Sequence, residues 1–164
     1  EGGSQMMIQN LAEVIQKNEY LITRELVGEI RKMPEVRHYR SIMDDVLFDN
    51  VHNVLYHVYK RLPHWHRHHA SKNTVFSFYS DLGRQRCREK VPLQETIRVL
   101  FSIKRGICRC ISERRALDKG FTLDQLAEFF SLVNHFFDRV AHAVISGYLE
   151  ATPTREGVGQ KRMQ

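Results

Sequence analysis

Four histidines fall within six residues of the segment RLPHWHRHHASK, at His64, His66, His68 and His69. Imidazole is the commonest side-chain ligand of transition metals. On a helix His64 and His68 stand one turn apart, as do His66 and His69, so either pair could hold a metal with a third ligand from elsewhere. The neighbours argue against it. No Cys, Asp or Glu is present to complete a closed set of four ligands, and Arg61, Arg67 and Lys72 add positive charge that opposes a cation. Trp65, one turn before His69, makes part of the same surface aromatic. The segment therefore reads as a solvated basic turn, with no dedicated metal site expected. Haem would need one imidazole in an apolar pocket. His135 and His142 share a helix face with Glu128, Ser131 and Asp138, opposite a strong aromatic stripe, which makes them poor axial ligands. His52 and His57 lie between the apolar positions of their segment and stay open.

The remaining reactive groups do not converge. Cys87, Cys108 and Cys110 are an odd set, unlike a secreted disulfide framework, and the CRC spacing matches neither a zinc nor a haem-attachment motif. On a helix Cys108 and Cys110 would point about 160° apart. His135 is followed by Phe136-Phe137-Asp138 rather than the acidic residue of a phosphoacceptor histidine. Glycine-rich nucleotide loops, HExxH and nucleophile elbows are absent. No catalytic residue, cofactor or metal is assigned, and an enzyme is not expected.

These side chains must be positioned by helices, because nearly every segment carries helical period and none alternates over the length of a strand. The 164 residues fit one domain, with 42% hydrophobic and 27% charged residues in an ordinary globular balance. No apolar run approaches the ~20 residues of a membrane span, and the start has no signal-peptide pattern. A cytoplasmic protein, or a cytoplasmic part of one, is expected, with no membrane partner. The net charge of +6 is spread over several segments mixed with acids. GRQRCREK and KRGICRC could form a basic surface, but the long helices lack helix-turn-helix form, so nucleic acid is not expected as a partner.

Helices are expected over 7–17, 19–32, 42–61, from Pro63 through the histidine cluster to 89, over 93–117 and over 123–150. Residues 1–6 read as a tag remnant or disordered, because of Gly2-Gly3-Ser4; 7–150 is the domain and 151–164 a linker. Asn18 can cap the second helix. Ser41 with Asp44, and Thr122 with Gln125, have capping-box spacing. In the last helix Phe129, Val133, Phe136, Val140, Val144 and Tyr148 form the clearest apolar stripe. Part of it is expected to fill the domain's own core, dimerisation to run through the terminal helices, and the C-terminal end of the stripe to hand a rotation or shift to a following domain through residues 150–164.

The stretch YSDLGRQRCREKVPLQETIRVLFSIKR, residues 79–105, carries a pattern: Tyr79, Leu82-Gly83-Arg84, Arg86, Pro92-Leu93, Ile97, Leu100 and Lys104-Arg105. It resembles the N-terminal sensory domain of bacterial stressosome co-antagonists of the RsbR/RsbRD type, a module also found at the head of some sensor histidine kinases. The closing AVISGYLEA is similar to that family's final helix. The resemblance implies a globin-like, all-α bundle of about six helices, generally without haem. It also implies dimerisation and a downstream signalling domain as partner, and brings no catalytic residues. Gly83 inside a helix, where glycine costs ~1 kcal/mol against alanine, marks close approach of another helix. Arg84, Arg86 and Arg88 cannot all face inward; most are expected in solvent, one bridging to Asp81 or Glu89.

Overall fold

A computed structural model describes residues 2–65, 69–113 and 120–154, with the backbone alone over 69–73. His66, His68 and the side chain of His69 lie outside the described residues. So do residues 114–119, which include the end of the helix expected to reach 117, and most of the expected linker. Every regular element among the described residues is helical: α1 Gly2–Lys17, α2 Glu19–Lys32, α3 Arg37–Ser41, α4 Asp44–Arg61, a 3₁₀ turn Leu62–His64, α5 His69–Arg88, α6 Leu93–Glu113 and α7 Leu123–Ala151. The protein is an all-α bundle.

Helical period decides which faces are buried. Leu11 and Ile15 of α1, Leu26 and Ile30 of α2, Leu47, Val51 and Leu55 of α4 and Ile107 of α6 are fully shielded from solvent. At the centre lie Phe129, Phe136 and Phe137 of α7, also fully buried. Burial of each such side chain is worth roughly 1.5–3 kcal/mol. Helices α2 and α4 run antiparallel: Glu19 accepts from the Tyr59 hydroxyl at 2.7 Å at one end, and Arg31 pairs with Asp44 at 2.6 Å at the other. The capping box of α7 forms in full, with Gln125 N–H donating to Thr122 Oγ1 at 3.1 Å and Thr122 N–H to Gln125 Oε1 at 2.9 Å.

Several expectations change. Residues 2–6 lie in α1; Gln5 donates to the Pro63 carbonyl at 3.3 Å and Ser4 to Glu128. Pro63 sits in the 3₁₀ turn Leu62–His64, and α5 is described from His69 onward. Helix α3 carries too few residues to show a period. Its free carbonyls at Tyr39, Arg40 and Ile42 are taken up by the guanidinium of Arg31. Ser41 consequently ends α3, donating to the His38 carbonyl at 2.7 Å, and does not cap α4, whose N-cap is Met43. Asn18 uses its side chain backward, donating to the Val14 carbonyl at 2.7 Å, and gives α2 no side-chain cap. Leu21, Met43 and Val46 are exposed although apolar.

Candidate functional site

The motif Leu82-Gly83-Arg84-Gln85-Arg86 lies on α5, whose two sides meet different neighbours. On one side are Ser80, Gly83, Arg84 and Cys87. A Cβ placed on Gly83 would come within 2.1 Å of the Val144 carbonyl oxygen, and one on Gly147 of α7 within 1.9 Å of the Ser80 carbonyl oxygen. No real side chain tolerates such distances, so the two glycines let α5 and α7 touch backbone to backbone. Arg84 continues the contact, donating to Asp81 at 2.6 Å and to Glu150 at 2.8 Å. Cys87 Sγ lies 3.7 Å from Thr152 Oγ1, and the Tyr148 hydroxyl donates to the Val91 carbonyl at 2.8 Å. The Arg139 guanidinium stands 4.9 Å over the Phe76 ring. From Phe76–Arg139 through Arg84–Glu150 to Cys87–Thr152 the contacts ascend along both helices, so α5 and α7 run parallel. Their mutual packing is the most extensive in the molecule.

The other side of α5 carries Val75, Tyr79, Leu82 and Arg86. Tyr79 is fully buried and shares a 2.8 Å hydrogen bond with His57 Nδ1 from α4. Burial pushes the Tyr79 hydroxyl well above the ordinary tyrosine value. Burial, and then the charge of Arg61, pull the His57 imidazole below its ordinary value, so the ring is neutral near pH 7. Arg86 is only 7% exposed. Its Nε–H donates to the Tyr39 hydroxyl at 3.1 Å and Nη1 to Glu89 at 2.7 Å, and its guanidinium lies 5.5 Å from the centre of the Tyr39 ring. Tyr39 and Thr96 share a hydrogen bond of 2.9 Å between their hydroxyls. Burial opposes ionisation of Glu89, but hydrogen bonds from Arg86 and Gln85 outweigh it and hold the carboxyl below the usual range.

Between these groups lies a cavity of about 50 Å³ where α3, α4, α5 and α6 meet. Arg86, Tyr39 and Thr96 form its polar edge, and Leu82, Leu100 and Ile103 part of its apolar wall. No histidine lines it, and it has no room for a macrocycle.

The residues singled out in the sequence are distributed elsewhere. Phe129, Val133, Phe136, Val140 and Val144 are fully buried within this chain's own core, so the stripe offers no surface to a second copy; Tyr148 is half-buried. His64, His135 and His142 are exposed. His135 packs its ring edge against Trp65 at 5.6 Å, and His52 lies 3.3 Å from Glu19. Among the described residues no group of three or more His, Cys, Asp or Glu is arranged to hold a metal. Cys110 is buried and Cys108 half-buried, with burial raising the Cys108 thiol above its ordinary value. Gly83 makes the expected close approach, and where one arginine bridge to Asp81 or Glu89 was expected two form, Arg84 to Asp81 and Arg86 to Glu89. Arg84 is half-exposed and Arg88 exposed, as expected for most of the three arginines, and Arg86 is the one that is buried. Its place was legible: Val75, Tyr79, Leu82 and Arg86 follow one another at spacings of four, three and four residues, which puts the arginine on the apolar face.

The described residues thus define an all-α bundle with no metal cluster, with structural hydrogen bonds along the α5–α7 seam and at the edge of the cavity. The chain belongs to the family of the RsbT co-antagonist protein rsbRD N-terminal domain, whose model matches residues 21–163. That span takes in every helix of the seam and of the cavity. No curated protein and no solved structure matches the chain. No described helix is long and apolar enough to cross a membrane.

Proposed function

We propose that this domain is the N-terminal input module of a cytoplasmic signalling protein of the co-antagonist type, without catalytic activity of its own, and that the α5–α7 pair carries its output. The supporting observation is the glycine seam. With Gly83 and Gly147 against the partner backbones, Arg84 on Glu150 and Tyr148 on Val91, the last two turns of α7 cannot shift without α5. A rotation or slide of the pair is the two-state element that a signal biases, and residues beyond Ala151 carry it to the following domain.

The module pairs with a second copy of itself, as the family resemblance implies, but through a different surface from the buried stripe. Leu93, Ile97 and Phe101 of α6 and Ile145 of α7 line an open apolar groove, and Leu149 is 60% exposed one turn beyond Ile145. The Lys104 ammonium stands 4.7 Å over the Phe101 ring at its margin. A copy seated here lies beside the end of α7 that must transmit. Binding of nucleic acid is disfavoured by the same geometry, because Arg84 and Arg86 are neutralised by Asp81, Glu150 and Glu89.

Two measurements test this reading. Light scattering is expected to give a dimer for the unaltered chain and a monomer for Phe101→Glu; a monomer in both removes the pairing. In the full-length protein Gly147→Leu is expected to disconnect input from output while the helical circular-dichroism signal is retained. Unchanged signalling removes the α5–α7 route.

A further inference from the structure

We propose that the cavity between α3, α4, α5 and α6 is a binding site for a small monocarboxylate, with Arg86 receiving the carboxylate and the apolar wall a short alkyl chain. The site deepens the reading of the domain as an input module, because its occupant would be the input.

Size comes first. On the measure by which a cavity of ~10–15 Å³ admits a water and one of ~150 Å³ admits benzene, this one, at about 50 Å³, encloses a few non-hydrogen atoms. That is the scale of a carboxylate head group; the cavity is partly open to solvent, and an alkyl chain would continue along its apolar wall toward the opening. The wall chemistry is that of a ligand site: mostly aliphatic and aromatic, with a few polar groups on one edge. Leu82, Val99, Leu100 and Ile103 offer no hydrogen bonds, so that wall favours an alkyl group over water.

The polar edge then selects the head group. Arg86 is permanently charged and nearly removed from solvent. Nε serves the Tyr39 hydroxyl and Nη1 serves Glu89, while Nη2 has no hydrogen-bond partner among the described residues. Tyr39 and Thr96 already engage each other. The edge therefore has donors to spare, and a ligand must bring acceptor oxygens. Side-chain amides of Asn50 and Asn53, at the α4 margin of the cavity, can meet a second oxygen. A guanidinium binds a carboxylate more strongly than a neutral carbonyl, through charge-assisted hydrogen bonds. Glu89 balances part of the Arg86 charge, but its side chain is 37% exposed and its share is screened by solvent.

Position gives the site its consequence. Leu82 and Arg86 alternate along α5 with Gly83 and Cys87, which touch α7. An occupant that displaces the cavity side of α5 displaces the seam.

The test is a nuclear magnetic resonance titration of the full chain with sodium propionate, butyrate and propionamide at matched ionic strength. The expected result is saturable, millimolar binding of the carboxylates, with shifts at the Arg86 side-chain N–H and the Leu82, Val99 and Ile103 amides, and at least tenfold weaker binding of propionamide. Arg86→Gln is expected to weaken propionate at least tenfold. Val99→Leu, which fills the cavity and leaves the Arg86 hydrogen bonds in place, is expected to do the same should Arg86→Gln not fold. Equal affinity for propionate and propionamide, no saturable shift, or undiminished binding by folded Val99→Leu would each overturn the proposal. Failure here removes the ligand and leaves the α5–α7 route standing; unchanged signalling in Gly147→Leu removes the route and leaves binding standing.

Discussion

Along three turns of α5, Ser80, Gly83 and Cys87 meet the backbone or the terminal residues of α7, whereas Tyr79, Leu82 and Arg86 on the adjoining face meet side chains, hydroxyls and a cavity. The first side excludes even a methyl group; the second holds a gap and a charged group at its edge. Close-packed interiors transmit a displacement without absorbing it, and imperfectly packed ones admit a guest or a rearrangement. One helix thus joins a stiff contact to a compliant one, which is the arrangement an input module needs.

The contrast can be broken from the stiff side. Gly147→Leu forces a side chain onto the Ser80 carbonyl, and a loss of about 3 kcal/mol in urea denaturation is expected, with Gly83→Ala following in the same direction. Tolerance of both would mean that the seam is no tighter than the rest. On the compliant side the hydrogen bonds matter more than shape. Arg86→Met leaves Glu89 and the Tyr39 hydroxyl without their buried partner and is expected to cost about 2 kcal/mol by the same measurement.

A third test uses pH. The unfolded chain, with an ordinary histidine value of about 6.5, binds a proton to His57 more readily than the folded chain does. Stability from this group is therefore complete above about pH 6.5 and declines as pH falls from there through the lower folded value. His57→Gln is expected to remove that part of the decline in a series of thermal melts; an unchanged profile would show that His57 is not strained by its burial against Tyr79. The smallest effect belongs to Arg84→Ala. Its pairs with Asp81 and Glu150 lie at the surface, so the melting midpoint should move slightly, and less in high salt.

The helices and their inward faces were legible in the sequence because burial repeats with helical period, and Thr122 with Gln125 announced a start that the fold uses. Gly83 also declared itself: a glycine inside a strong helical pattern has few other reasons to be there. Gly147 did not stand out, since AVISGYLEA could continue an exposed helix as readily as a buried one. Helix α3 escaped because five residues show no period, and with it went Tyr39, which supplies the cavity's polar edge. The stripe from Phe129 to Val144 was read correctly as apolar. What the pattern could not show is that the chain itself covers the stripe completely, while Ile145 and Leu149 of the same helix face outward. Periodicity tells which residues seek cover; it does not tell who provides it.

Because α5 and α7 run parallel, α6 must carry the chain back across the bundle before α7 can begin. It follows that the bend after α5, where Lys90 adopts a φ of 58°, and the point where the chain leaves α7 at Thr152 share one pole of the molecule. A neighbour landing on that pole would grip the bend and the departing backbone in a single footprint. One that lands on the opposite pole could reach neither.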